Sequence, residues 1–106
     1  MSPGYRLTPF AFQDIFEIWL YISKDSLDAA DRVEAEIYDA CVKLSRSSYL
    51  GKIKKRRTGK EVRCWTIPRF PNYIVIYYPD TKPIQVVAIL HGRRNLERIL
   101  RARTGK

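Results

Sequence analysis

Positively charged side chains dominate the second half of this sequence, and they are the residues best suited to chemistry. Residues 46–106 hold sixteen Lys/Arg against three Asp/Glu, whereas residues 1–45 hold four Lys/Arg against eight Asp/Glu. Guanidinium and ammonium groups bind phosphates electrostatically, and they stabilise the charge that develops in a phosphodiester transition state. So polarised a chain is expected to attract an acidic partner, either a nucleic acid or an acidic protein. The alternative is a solvated basic surface without a specific partner.

Six residues from three segments form the candidate basic surface. They are Lys54, Lys55, Arg63, His91, Arg93 and Arg94. Arg63 lies inside a strand-like run, where a charged side chain is either exposed or buried and paired. His91 is the only histidine, the residue type that most readily exchanges protons near neutral pH. It ends the last strand-like run, so a structural hydrogen-bonding role competes with direct action on a target.

Several classes of site are excluded by the motifs that the sequence lacks. It has no P-loop, no glycine-rich dinucleotide turn, no zinc-ligand spacing and no defensible Ser/His/Asp arrangement. We therefore expect no metal and no cofactor. The acidic residues of the first half are expected on solvated helix faces rather than in a carboxylate pair. Cys41 and Cys64 lie far apart and are interpreted as reduced thiols, which favours a cytoplasmic location.

Two helices are predicted in the first half, after a short strand at residues 5–7. Thr8 and Pro9 are typical of a helix start, and the pattern continues to residue 23. The apolar arc of this helix covers roughly 200°, about twice what a surface helix needs. More than one neighbour must therefore cover it, either a second helix or a protein partner. A second helix over residues 27–46 is predicted to pack against it as an antiparallel hairpin.

The second half is predicted to form a small antiparallel sheet. A basic loop at 52–60 precedes strands at 62–67, 73–78 and 84–90, and a short basic helix at 94–103 follows. The whole chain, 1–106, is interpreted as one α+β domain of order β-α-α-β-β-β-α, with the helical hairpin on one sheet face. In the last strand, strict alternation puts Val86, Ala88 and Leu90 toward the core. His91 would then point toward the other face, which is left open for water or function.

Short segments distributed over nearly the whole chain carry a family resemblance. They are residues 5–11, residues 14–19 with Tyr21 and Ile22, Ala29 and Ala30, Leu44 with Gly51, Arg63, residues 73–78, and residues 89–94. In their order and spacing they resemble the ParE branch of the RelE/ParE toxin superfamily. The fold implied by this resemblance is the topology predicted above.

The resemblance implies the toxin of a type II toxin–antitoxin module, which arrests growth and is neutralised by a cognate antitoxin in a hetero-oligomer. ParE-type toxins are associated with poisoning of DNA gyrase, so an inhibitor is favoured over an enzyme. RelE-type relatives instead cleave mRNA on the ribosome with basic and aromatic residues, and Lys54, Lys55 and Arg63 match that basic region. The C-terminal segment from residue 94 onward has no tyrosine to act as an acid or base. An endoribonuclease, with His91 as one candidate residue, is the alternative.

The broad apolar arc of the first helix offers a docking surface for an amphipathic antitoxin segment. The residues expected to bind it are Phe12, Phe16, Trp19 and Leu20. No membrane partner is expected, because no apolar run approaches the length of a membrane span.

Overall fold

The computed structural model describes residues 4–54, 60–92 and 95–104. Within these ranges the elements are β1 (Tyr5–Leu7), α1 (Pro9–Ser23), α2 (Leu27–Arg46), β2 (Lys52–Lys54), β3 (Val62–Thr66), β4 (Tyr73–Tyr78), β5 (Ile84–His91) and α3 (Leu96–Thr104). The described strands form one sheet in the order β1-β5-β4-β3-β2, in which β1 runs parallel to β5 and the other pairs are antiparallel. This architecture confirms the predicted α+β class.

Side-chain caps fix the starts of both long helices. The Thr8 hydroxyl accepts a hydrogen bond from the backbone N–H of Ala11 at 3.2 Å, and Pro9 follows at the first helical position. The Ser26 hydroxyl accepts from the N–H of Ala29 at 3.1 Å. Each hydroxyl satisfies one of the N–H groups that a helix leaves unpaired at its start. The predicted helix bounds, 9–23 and 27–46, are confirmed.

The strand β2 was missed by the sequence prediction, which assigned residues 52–60 to a basic loop. Lys52, Ile53 and Lys54 pair antiparallel with Cys64, Arg63 and Val62. Three residues with two lysines have little strand signal of their own, so their conformation comes from long-range pairing with β3. The sheet consequently gains an edge strand beyond the predicted ones.

A β-bulge in β5 overturns the predicted alternation of that strand. The pairing with β4 moves from Tyr77–Val86 to Ile76–Ala88, so Val87 is one extra residue. One inserted residue shifts the following side chains to the opposite faces. The prediction that Ala88 shares the face of Val86 is therefore wrong. Both faces of β5 are buried.

Two hydrophobic cores lie on the two faces of the sheet. The hairpin core contains side chains from α1, α2 and the strands, among them Ile15, Ile37, Leu44, Tyr77, Val86 and Ile89. The second core lies under α3 and consists of Val62, Ile76, Val87, Ala88, Leu90 and Leu100. The expectation of an open second face is therefore wrong, because the apolar side of α3 covers this part of the sheet. None of the helices in the described ranges is long and apolar enough to cross a membrane.

Candidate functional site

The candidate basic residues that the structure describes do not converge on one surface. Lys55, Arg93 and Arg94 lie outside the described residues. Lys54, Arg63 and His91 can be placed, and the sheet separates them by face and by position along the strands.

Arg63 is anchored to the loop that leads from α2 into β2. Its Nη1 donates hydrogen bonds to the carbonyl oxygens of Gly51 at 2.7 Å and Tyr49 at 3.2 Å. Its guanidinium carbon lies 4.8 Å from the centre of the Tyr49 ring, and its Nε lies 3.3 Å from a carboxylate oxygen of Glu61. The side chain is 15% exposed. The guanidinium is therefore held within the protein through Nη1, whereas Nε makes no hydrogen bond to the described residues.

Tyr77 holds the same loop from the neighbouring strand. Its hydroxyl donates to the carbonyl of Ser48 at 2.7 Å and accepts from the N–H of Gly51 at 2.9 Å. Burial raises the pKa of this phenol, while the Gly51 N–H and the Arg63 charge oppose the rise. A Cβ at residue 51 would lie 2.7 Å from the Tyr77 hydroxyl, so the site requires glycine. Residues 48–51 are thus fixed by Tyr77 and Arg63 together, an arrangement that the sequence analysis missed.

Lys54 lies on the opposite face of the sheet from Arg63. Residues that pair directly across an antiparallel ladder project from the same face. Lys54 pairs with Val62, which belongs to the core under α3, whereas Arg63 shares its face with Trp65 on the hairpin side. Both residues come from the predicted basic region, but their side chains project from opposite faces of the sheet.

His91 lies on the hairpin side of the sheet rather than on the predicted second face. The bulge at Val87 moves the side chains of the residues after it to the opposite faces. Its ring meets Tyr73 edge to face, with the ring centres 5.8 Å apart and the planes at 82°. His91 pairs with Tyr73 and Arg63 pairs with Tyr77, so the two positions are offset by four residues along β4. That spacing corresponds to about 13 Å along the strand.

A cleft of about 450 Å³ lies beside His91, between α1 and the end of β5. Its lining residues are Asp14, Glu17, Ile18, Tyr21, Asn72, Tyr73, Ile89 and His91. This cleft carries carboxylates and phenols, so it differs in charge from the basic surface predicted around His91. No group of three or more His, Cys, Asp or Glu side chains within the described ranges could hold a metal ion.

Asp14 is the most deeply buried charged residue at this end of the fold, with 4% of its surface exposed. Its two carboxylate oxygens accept hydrogen bonds from Arg103 at 2.6 and 2.8 Å, and Oδ2 also accepts from the N–H of Ile89 at 3.0 Å. The expectation of a solvated face is wrong for this carboxylate. In the sequence, Asp14 lies at helical spacing between Ala11 and Ile18 on the apolar stripe of α1. That position could have indicated that its carboxylate is buried.

The apolar residues expected to bind the antitoxin form an exposed ridge along α1. Phe12 is 62% exposed, Phe16 50% and Leu20 42%, and their spacing of four residues puts them on one side of the helix. Trp19 is half-buried and its indole N–H donates to Asp31 of α2 at 2.9 Å, so it also joins the hairpin. We call Phe12, Phe16 and Leu20 the α1 ridge.

The comparisons with known proteins agree with this fold. The family model described as "ParE toxin of type II toxin-antitoxin system, parDE" matches residues 5–96. The chain belongs to the ParE toxin family. A solved structure described as "Chromosomal ParDE TA system from P. aeruginosa" is similar over 84% of this chain and 95% of that chain, with a TM-score of 0.67 and 19% identity. A search of curated proteins found no significant match.

Membership of the ParE family confirms the resemblance inferred from the residues. The similarity to the P. aeruginosa structure concerns the fold, since so low an identity does not carry individual side chains across. The roles of Arg63 with Tyr77 and of Asp14 with Arg103 therefore rest on the hydrogen bonds within this chain, and they are not transferred from the similar structure.

Proposed function

We propose that this ParE-family protein arrests growth by inhibiting DNA gyrase in the cytoplasm, and that a cognate antitoxin neutralises it in a hetero-oligomeric complex. The observation that carries the proposal is the family match over residues 5–96. The net charge of +9 supports an encounter with an acidic partner, which can be the binding segment of an antitoxin.

The placement of the basic residues favours inhibition over RNA cleavage. Acid–base catalysis requires side chains within hydrogen-bond reach of the same reacting group. Among the described residues, Lys54 and Arg63 lie on opposite faces, and Arg63 and His91 lie on either side of β4, offset by about 13 Å along the strands. Arg63 also donates to two backbone carbonyls. A binding surface can use basic residues that lie far apart, whereas a nuclease site needs them around one phosphate.

The α1 ridge supports the proposed antitoxin complex. Its three side chains are large, apolar and exposed, although α2 already packs against the opposite side of the helix. An amphipathic helix can bury such a ridge by presenting its own apolar residues at a spacing of three and four. Complete burial of a fully exposed phenylalanine contributes about 1.5–3 kcal/mol. Phe12 and Phe16 still expose 62% and 50% of their surface, so each would contribute roughly half of that to the complex.

Two assays with purified components test the cellular target. The protein should inhibit DNA supercoiling by gyrase in proportion to its concentration, and antitoxin added in equal amount should restore supercoiling. Purified ribosomes programmed with mRNA should show no new cleavage at the same concentrations. Strong mRNA cleavage together with uninhibited gyrase would replace the proposal with the endoribonuclease alternative.

A growth assay after induction of the protein without its antitoxin tests whether it is toxic at all. It distinguishes a toxin with either activity from a family member that has lost its toxicity. Induction should arrest growth, and co-expression of the antitoxin should restore it. Normal growth at high, folded expression would instead indicate a binding module without toxic activity.

A further inference from the structure

The cleft between α1 and the end of β5 is the local exception on a strongly basic chain. Two carboxylates, from Asp14 and Glu17, line it, and none of its described lining residues is a lysine or an arginine. Asp14 is not available to a ligand, because Arg103 and the N–H of Ile89 engage its oxygens. Among the described lining residues, Glu17 therefore supplies the carboxylate charge that the cleft presents to solvent.

Glu17 is exposed and poised to accept a donor. Its Oε2 accepts from the amide of Gln13 at 3.2 Å, and its Oε1 accepts no hydrogen bond from the described part of the chain. Glu17 neighbours both Leu20 and Tyr21 on the helix surface, three and four residues ahead. The carboxylate thus lies between the α1 ridge and the aromatic wall of the cleft.

Two phenol rings form that aromatic wall. Tyr21 is 70% exposed, and Tyr73 is half-buried across the cleft on β4. Both phenols line the same cleft, and burial raises the pKa of the Tyr73 phenol, with Tyr21 adding to the rise. Aromatic faces next to a carboxylate are the chemistry that recognises organic cations.

We propose that this cleft binds an arginine side chain of the antitoxin, with its guanidinium paired to Glu17 and stacked on Tyr21. The inference rests on the proposed antitoxin complex, because the cleft adjoins the α1 ridge and one partner segment can reach both. Arginine fits better than lysine, since its planar guanidinium stacks on a ring while its N–H groups pair with a carboxylate. The cleft volume of about 450 Å³ accommodates such a side chain.

Titration of the isotope-labelled full chain with Nα-acetyl-L-arginine amide tests the cleft directly by NMR. The backbone amides of Glu17, Tyr21, Tyr73 and His91 should shift together, with a dissociation constant in the millimolar range. The citrulline analogue has the same shape without the charge and should bind about threefold or more weakly, as expected for the loss of an exposed ion pair.

Matched variants separate the carboxylate from the ring. Glu17→Gln should weaken binding of the arginine probe about threefold, whereas Glu34→Gln on α2 should leave it unchanged. Tyr21→Phe should retain binding, and Tyr21→Leu should weaken it. Glu17 and Tyr21 are exposed and Glu34 is partly exposed, so these variants should fold like the wild type.

Equal binding of the citrulline analogue, shifts that map away from the cleft, or an unaltered Glu17→Gln variant would each overturn the inference. The titration contains neither gyrase nor antitoxin. Its failure would therefore leave the proposed function standing, while failure of the supercoiling assay would leave the cleft's affinity for arginine measurable.

Discussion

The carboxylate of Asp14 in α1 and the guanidinium of Arg103 in α3 form a two-point ion pair that joins residues 89 positions apart. The N···O distances are 2.6 and 2.8 Å, and the two side chains are 4% and 13% exposed. Arg103 also donates to the carbonyl of Val87 at 3.3 Å, next to the bulge, and lies over the Phe10 ring. The pair therefore fastens α3 to α1 and to the irregular part of β5.

Removal of the arginine should be strongly destabilising. In Arg103→Met the Asp14 carboxylate stays buried without its charged partner, and loss of one member of such a pair costs about 3–5 kcal/mol. Urea unfolding followed by far-UV circular dichroism measures this as a fall in the free energy of unfolding. Arg101→Met, an exposed position on the same helix, is the control and should change stability by less than about 0.5 kcal/mol.

The double variant Asp14→Asn/Arg103→Met checks the cause of that loss. Asparagine keeps an acceptor for the N–H of Ile89 but carries no charge, so about 1–3 kcal/mol of the loss should be recovered. If the loss of stability in the double variant equals the sum of the losses in Asp14→Asn and Arg103→Met, the buried charge is not responsible.

Tyr77 should stabilise the loop through its hydroxyl rather than its ring. Tyr77→Phe keeps the buried ring but leaves the N–H of Gly51 and the carbonyl of Ser48 without their partner. A buried group left unpaired costs about 1–3 kcal/mol, which denaturant unfolding can resolve. Tyr78→Phe is the matched control, because the Tyr78 hydroxyl makes no hydrogen bond to the described residues. Equal effects at both positions would argue against the proposed anchor.

Arg63 is expected to act on stability more than on the target. Arg63→Ala removes hydrogen bonds from a charged donor to the carbonyls of Tyr49 and Gly51, at a cost of about 1.5–3 kcal/mol. Once corrected for the folded fraction, inhibition of gyrase should remain near the wild-type level. A loss of inhibition in fully folded Arg63→Ala would return this residue to the toxic surface.

Apart from β2, the local sequence predicted the helices and strands, because their signals are local. Thr8, Pro9 and Ser26 mark helix starts that the structure reproduces. The face of His91 could not be read in the same way, because it depends on the extra residue Val87. That bulge is supported by contacts from remote segments, where Thr8 donates to the Val87 carbonyl and Asp14 accepts from Ile89.

The pairing of charges was equally hidden from the sequence. Arg63 was recognised as unusual within a strand, but its acceptors are carbonyls of a loop 12 and 14 residues earlier in the chain. Arg103 lies on a short basic helix where every arginine has similar local surroundings. Only the packing of α3 across the sheet distinguishes the one that reaches Asp14.

Cys41 should make stability depend on pH in the alkaline range. Burial raises the pKa of its thiol from 9.0 to about 12. Above pH 9 the unfolded state loses the thiol proton while the folded state keeps it, so its contribution to stability is lost between pH 9 and pH 12. The free energy of unfolding should fall less steeply over this window in Cys41→Ala than in the wild type. Parallel pH profiles for the two proteins would contradict this assignment.

The α1 ridge should contribute to antitoxin binding without contributing to folding. Phe16→Gln replaces a half-exposed ring near the middle of the ridge, so the free energy of unfolding should change by less than about 0.5 kcal/mol. Removal of a central aromatic contact from an interface typically costs about 2 kcal/mol or more, roughly a 30-fold loss of affinity. Isothermal titration calorimetry with the cognate antitoxin measures this loss. Ile53→Gln, at an exposed apolar position on β2, is the control and should bind like the wild type. If instead Ile53→Gln weakens the complex and Phe16→Gln does not, the antitoxin docks at the β2 edge of the sheet rather than on α1.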